Sequence, residues 1–176
     1  MIAEVMVEVC GDDREGELLT FGQVTEAWGP VTIVLAGESV VEWWFTDSDS
    51  AGPGLAKRWP KARWHRDDQK IRCLFKRLVL SDEPVRVPVL LKGTPFQLAV
   101  WKEMLSVGWG RRWSYRQLAH SIGKPSAVRA VASAVANNPI SWIIPCHRII
   151  YADGRVGRYR WGSELKNVLL DYEKTH

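Results

Sequence analysis

The sequence predicts an α/β first half joined to a mostly helical second half, and three observations predict it. The first 46 residues carry short runs rich in Val, Ile, Thr, Phe and Trp, separated by Gly, Asp and Glu clusters, as strands and turns require. Beyond residue 94 the apolar residues recur at helical spacing between capping and stop signals. Between the halves runs "SDEPVRVPVLLKGTP", whose prolines favour extended backbone over helix. The boundary is therefore placed near residues 81 to 93, with an α/β domain over 1–85 and a second domain over 86–176.

In the first half, "AEVMVEV", "ELLTFGQV", "GPVTIVLAG" and "SVVEWWFT" read as an antiparallel sheet of three or four strands. Two helical stretches follow. "GPGLAKRWPKARW" is broken by Pro60, which lacks an amide donor, whereas "DQKIRCLFKRLVL" places Ile71, Leu74, Phe75 and Leu78 on one amphipathic face, with Cys73 off it.

The second half opens with "TPFQLAVWKEMLSVGWG", where Thr94 and Pro95 form an N-cap and first-turn pair and Phe96, Val100, Trp101, Met104 and Leu105 share a face. In "WSYRQLAHSIGKP", Ser114 and Gln117 make a capping-box pattern, Leu118 and Ile122 supply the buried face, and Gly123 with Pro125 end the helix. The next helix, "SAVRAVASAVANNP", begins almost at once, so the pair has the outline of a helix-turn-helix. Its alanines at 127, 130, 132, 134 and 136 leave a thin surface with Arg129 as the single cation. Such a helix suits either a tightly packed core or close approach to a nucleic-acid groove.

Composition narrows the class. Of 176 residues, 46% are hydrophobic and 25% charged, which is globular rather than disordered. No run reaches the roughly 18 apolar residues of a membrane span, and the N-terminus lacks a basic region and cleavage site. A soluble, intracellular protein is expected, cytoplasmic or, in a eukaryote, nuclear. Cys10, Cys73 and Cys146 are odd in number and widely spaced, which suggests neither a disulfide framework nor a zinc knuckle; with His65 they offer no convincing ligand set, so no metal is expected. The net charge of +4 is unevenly divided: residues 1–85 carry −5 and residues 86–176 carry +9. The second half has the electrostatic footprint of a polyanion binder.

One apolar run, "WIIPCHRIIY", holds Cys146, His147 and Arg148 directly after Pro145. A cysteine there can be a small buried hydrophobe, or a nucleophile whose thiolate is favoured by the cationic neighbours. Adjacent side chains diverge on both helix and strand, so direct hydrogen bonding between Cys146 and His147 needs a bent backbone.

"GTPFQLAVW", "SYRQLAHSIGKPSAVRAVASAVANNP", "IIPCHRII", "GRYRWG" and "LKNVLLDYE" stand in the order and spacing of the O6-alkylguanine-DNA alkyltransferases, and residues 90 to 173 closely resemble the Ada-type C-terminal module. The resemblance implies a ribonuclease H-like first domain and a winged helix-turn-helix second domain. It implies irreversible, stoichiometric transfer of an alkyl group from O6-alkylguanine, with O4-alkylthymine as a further substrate class, to Cys146. It implies that a water held by His147, backed by Glu173, activates the thiol. Tyr115 would protonate guanine N3, and Asn138 would join the recognition helix to the active-site segment. Arg129 would fill the gap left by an extruded nucleotide, and Ser126, Ala127 and Ala130 would meet the minor groove. Tyr159 and Trp161 would wall the pocket, while the main chain at Cys146, Ile149 and Arg160 reads the base edge. No cofactor is implied. The expected partner is double-stranded DNA carrying the lesion, met by a monomer without a membrane. Trp109 and Trp113 depart from the family pattern, where smaller residues are common. Two other classes fit parts of the sequence: a DNA-binding regulator with an inert Cys146, and a thiol hydrolase using Cys146 and His147.

Overall fold

A computed structural model describes residues 4–9, 16–80 and 85–175. By internal contacts the chain divides after Lys92 into two units.

The first unit is a mixed six-stranded sheet with two helices. β1 (Glu4–Val9), β2 (Leu18–Glu26), β3 (Gly29–Ala36) and β4 (Ser39–Trp44) lead to α1 (Ser48–Arg58), then β5 (Arg63–Arg66), α2 (Asp68–Val79) and β6 (Arg86–Leu91). The sheet order is β1-β6-β4-β3-β2-β5. Three strands, β2, β3 and β4, form the expected antiparallel meander. The rest corrects the antiparallel expectation, because β1–β6, β4–β6 and β2–β5 are parallel pairs. These strands are far apart in sequence and are joined through helices, the connection that parallel pairing requires. β6 is the stretch read as merely extended. Pro88 lies inside it, opposite Met6, and its pairing with β1 and β4 carries residues 86–91 into the first unit, beyond the 85/86 boundary expected.

α1 begins earlier than "GPGLAKRWP" suggested, at an Asp47 N-cap that accepts from the Ser50 amide, and it tolerates Pro53 before ending ahead of Pro60. α2 buries Ile71, Phe75 and Leu78 and leaves Cys73 exposed. Tryptophans account for much of the core: Trp43 stacks on Phe75, and Trp44 and Trp59 both donate to the fully buried Glu42 carboxylate at 2.9 Å. Cys10 lies outside the described residues; His65 and Cys73 sit exposed on β5 and α2. Among the described residues no group of three His, Cys, Asp or Glu could hold a metal, and no helix is long and apolar enough to cross a membrane.

The second unit contains α3 (Pro95–Met104), β7 (Trp113–Ser114), α4 (Tyr115–Ser121), α5 (Val128–Ala136), a 3₁₀ turn (Cys146–Arg148), β8 (Ile149–Ile150) and α6 (Ser163–Thr175). The N-termini of α3 and α4 are closed by reciprocal capping boxes, Thr94 with Gln97 and Ser114 with Gln117. Each satisfies two backbone groups that a helix start leaves unpaired. α4 stops at Gly123, whose φ of 69° is one that a side chain rarely adopts. Helices α3, α4 and α5 pack on one another. Val131, Ala134 and Val135 face inward, and the Trp101 indole donates to the Ala134 carbonyl at 2.8 Å, pinning α5 to α3. Gly93 makes room for that indole, since a Cβ there would fall 2.6 Å from its ring. β7 and β8 pair in parallel, which brings Tyr115 at the start of α4 next to the turn that carries Cys146.

Candidate active site

The site is built where α5 gives way to an apolar segment. Asn138, fully buried two residues past α5, donates to the Ile144 carbonyl at 2.7 Å and accepts from the Ile140 amide at 3.1 Å. It thereby closes the loop that precedes Cys146. Pro145 then enters the 3₁₀ turn, and the bent backbone sends adjacent side chains to different partners.

Cys146 is buried, and its Sγ lies 3.7 Å from the Tyr159 hydroxyl. It lines a cavity of about 160 Å³ together with Tyr115, Tyr151, Tyr159, Trp161 and Lys166. His147 turns away from that wall. Its Nε2 is 2.7 Å from Glu173 Oε1, and both side chains are at most 1% exposed. The same carboxylate receives the Arg148 guanidinium through Nε at 2.9 and 3.0 Å and through Nη2 at 2.8 Å, and it accepts from the Gly110 amide at 3.2 Å. Arg148 Nη1 donates to the Val107 carbonyl. The guanidinium read as a partner for the thiol is thus committed to Glu173.

Electrostatics fixes the protonation states. Burial alone would raise the Glu173 carboxyl, but hydrogen bonds from His147 and Arg148 outweigh it and hold the group at about 2. Burial holds the His147 imidazole below its ordinary range, against the pull of Glu173 and with Arg148 and Lys166 adding to the depression. At neutral pH the pair is therefore carboxylate and neutral imidazole. A carboxylate only accepts, so Nε2 carries the proton and Nδ1 carries the lone pair. That Nδ1 is buried without a protein partner. It can accept a hydrogen bond.

Tyr115 is pushed up to about 12, first by burial and then by Tyr151 and Cys146, so its phenol stays protonated and can donate. Burial, then Cys146, raises Tyr159 well above its ordinary value. Trp161 lines the cavity, donates to Ser141 Oγ at 3.0 Å and lies 4.7 Å beneath the Arg160 guanidinium. Ile149 is not among the lining side chains: it is fully buried, and its carbonyl accepts from Lys166 Nζ at 2.5 Å. On α5 and the turn before it, Ser126, Arg129 and Ala130 are exposed and Ala127 is half-buried.

Sequence reasoning missed Lys166, which is 1% exposed, faces the rings of Tyr115 and Tyr159 at 6.0 and 5.8 Å, and is drawn down by burial to about 8. A signal existed. Lys166, Leu169, Leu170 and Glu173 are the buried stripe of α6 at i, i+3, i+4 and i+7, so two charged residues occupy positions expected to be apolar. It also missed Ser141, Tyr151 and Arg158 on the cavity wall.

Comparison with known proteins finds similarity to DNA alkyltransferases. Residues 95–175 match the family model described as 6-O-methylguanine DNA methyltransferase, DNA binding domain. The chain is similar to the methylated-DNA–protein-cysteine methyltransferase of Haemophilus influenzae, 36% identical over 83% of this chain and 81% of that one. It is also similar to the bifunctional transcriptional activator/DNA repair enzyme Ada of Escherichia coli, 46% identical over 60% of this chain but only 30% of that protein. Among solved structures it resembles Mycobacterium tuberculosis OGT in complex with DNA, with 30% identity, a TM-score of 0.72, and coverage of 89% of this chain and 93% of the other.

Glu173→Gln is expected to destabilise the second unit by about 3 kcal/mol at pH 7, because a buried guanidinium loses its counter-charge. The carboxyl is depressed in the folded state, so its contribution is complete above its ordinary value of 4.5 and is lost as pH falls towards about 2. Urea unfolding of both proteins across that interval should show the gap between them closing at the acid end.

Proposed function

The chain belongs to the methylated-DNA–protein-cysteine methyltransferase family, and from that membership we propose that it repairs DNA by moving the alkyl group of O6-alkylguanine onto Cys146. The observation that carries the reading is the division at the 3₁₀ turn. The Cys146 thiol faces a cavity of about 160 Å³, while the next residue presents a neutral imidazole backed by a buried carboxylate.

Displacement at an unactivated alkyl carbon needs a thiolate aligned with the C–O6 bond and a base that leaves with a proton. The thiol proton passes to His147 Nδ1 through a water, which resolves the divergence of the two side chains. Sulfur then forms a bond to the alkyl carbon as the carbon–O6 pair withdraws into the purine. Tyr115 supplies a proton at N3, and the proton given up by the thiol balances it. The product is a thioether that water does not cleave, so each molecule acts once.

The DNA is met by the α4–α5 pair, read as the helix-turn-helix of a winged domain, with the first unit as a ribonuclease H-like companion. Ser126, Ala127 and Ala130 give α5 a low profile suited to the minor groove, and Arg129 occupies the vacancy left by the rotated nucleotide. Asn138 ties this helix to the segment before Cys146. O4-alkylthymine is a second candidate lesion, and the chain works as a monomer.

Cys146→Ala should abolish transfer while retaining lesion binding, because a nucleophile acts in the chemical step. Intact mass after incubation with O6-methylguanine DNA reads it: wild type gains one methyl group on Cys146 and the variant gains none. Arg129→Ala should slow repair of duplex DNA by about 10- to 100-fold, the equivalent of part of an extrusion cost of a few kcal/mol, and leave reaction with the free base near wild type. Equal loss on both substrates, measured as single-turnover rates, would sink the role. Trp161, walled in by Ser141 and Arg160, should keep the cavity to small adducts. Trp161→Gly is expected to speed reaction with O6-benzylguanine by about tenfold or more over wild type, within the range that pocket contacts control.

A further inference from the structure

We propose that Trp142 is a positioning residue for the transfer reaction, the π-face that holds the His147 imidazole in plane and stabilises it at the moment it becomes charged. The inference rests on the reading of Cys146 as alkyl acceptor. It starts from an outlier. Trp142 has φ 88°, and it is the only non-glycine residue with positive φ among the described residues. A bulky side chain in that region costs on the order of 1–3 kcal/mol and persists only where its surroundings demand it.

The surroundings are specific. The indole of Trp142 lies nearly parallel to the imidazole of His147, 14° between planes and 5.8 Å between centroids. Its other ring neighbours are edge-on, Trp109 at 5.8 Å and Tyr172 at 5.9 Å, and Trp109 lies 5.3 Å beneath the Arg148 guanidinium. The aromatic cluster therefore covers His147 and Arg148, both partners of the Glu173 carboxylate. Nothing in an apolar run "ISWIIPC" requires an indole, and a left-handed backbone turn is what aims this one at the ring.

A roof of this kind has two effects of opposite sign. By excluding water it favours the neutral imidazole, which is the form able to take a proton. By presenting the negative face of an aromatic ring it favours the imidazolium once the thiol proton has arrived. The groups facing His147 are Glu173 on α6, Arg148 on its own turn and Lys166 on α6. The two cations disfavour the imidazolium, so the indole and the carboxylate are the partners that favour it.

Three substitutions separate the effects. Trp142→Gly relieves the backbone and admits water, so the acid limb of the pH–rate profile for methyl transfer should move up towards the ordinary histidine value near 6.5. Trp142→Leu excludes water but has no π-face, so the limb should stay low while the plateau rate falls about tenfold, the effect expected when a cation–π interaction is removed from a desolvated site. Trp142→Phe should stay within about threefold of wild type. Folding of each variant is checked by its urea midpoint, and the His147 titration is followed by NMR without DNA. Unchanged limb and plateau in Trp142→Gly and Trp142→Leu, with an unmoved His147 titration, would overturn the proposal. If wild type transfers no methyl group, the Cys146 reading fails instead, and the NMR titrations still decide whether the indole controls the imidazole.

Discussion

The Glu173 carboxylate is the interaction on which the second unit depends. It is buried, yet it gathers partners from separate stretches of chain: the imidazole of His147, the guanidinium of Arg148 and the amide of Gly110. A buried carboxylate is tolerated only when its oxygens are occupied. Here that requirement has a geometric consequence. α6 must dock so that its last turn reaches the 3₁₀ turn, and that turn must present His147 and Arg148 on the side away from the cavity. Cys146, one residue earlier, is left facing the cavity. The alternation that made a direct Cys–His hydrogen bond implausible is thus what places the imidazole and the thiol on opposite sides of one turn.

α6 acts at both ends of its buried stripe. Glu173 stands behind the imidazole, and seven residues earlier Lys166 lines the cavity while donating to the Ile149 carbonyl. Between them Leu169 and Leu170 supply the apolar packing that holds the helix in place. Shifting α6 by one turn would take both charges out of position together. One helix therefore sets the electrostatics of the imidazole side and of the cavity side.

Legibility followed the range of the interaction. Capping boxes at Thr94 and Ser114, the stop at Gly123 and the Ile71–Phe75–Leu78 face were readable because each is set by residues within one or two turns. The parallel pairings of β1, β5 and β6 were not, since they join strands separated by long connections and follow from no local pattern. Residue types at the site were legible as motifs, but their commitments were not. Arg148 read as a cation beside a thiol, and only the folded chain shows it turned to Glu173. The positive φ of Trp142 leaves no trace in composition or periodicity, since its ring contacts reach Trp109, His147 and Tyr172 from separate parts of the chain.

The thinness of α5 acquires a second meaning once its exposed and cavity-lining residues are compared. Ser126, Arg129 and Ala130 are exposed, while Ala132, Val135 and Ala136 line the cavity that holds Cys146. The helix proposed to meet the groove is also a wall of the reaction pocket. Arg129, Ala132 and Ala136 stand at i, i+3 and i+7 on one face of α5, so on the proposed function a nucleotide rotated past Arg129 would reach the cavity along that face without crossing the helix. Longer side chains at 130 would hold the helix off the groove, and at 132 or 136 they would fill the cavity. On the proposed function, alanine is wanted at 130 for the groove and at 132 and 136 for the cavity, while at 134 it serves packing against Trp101.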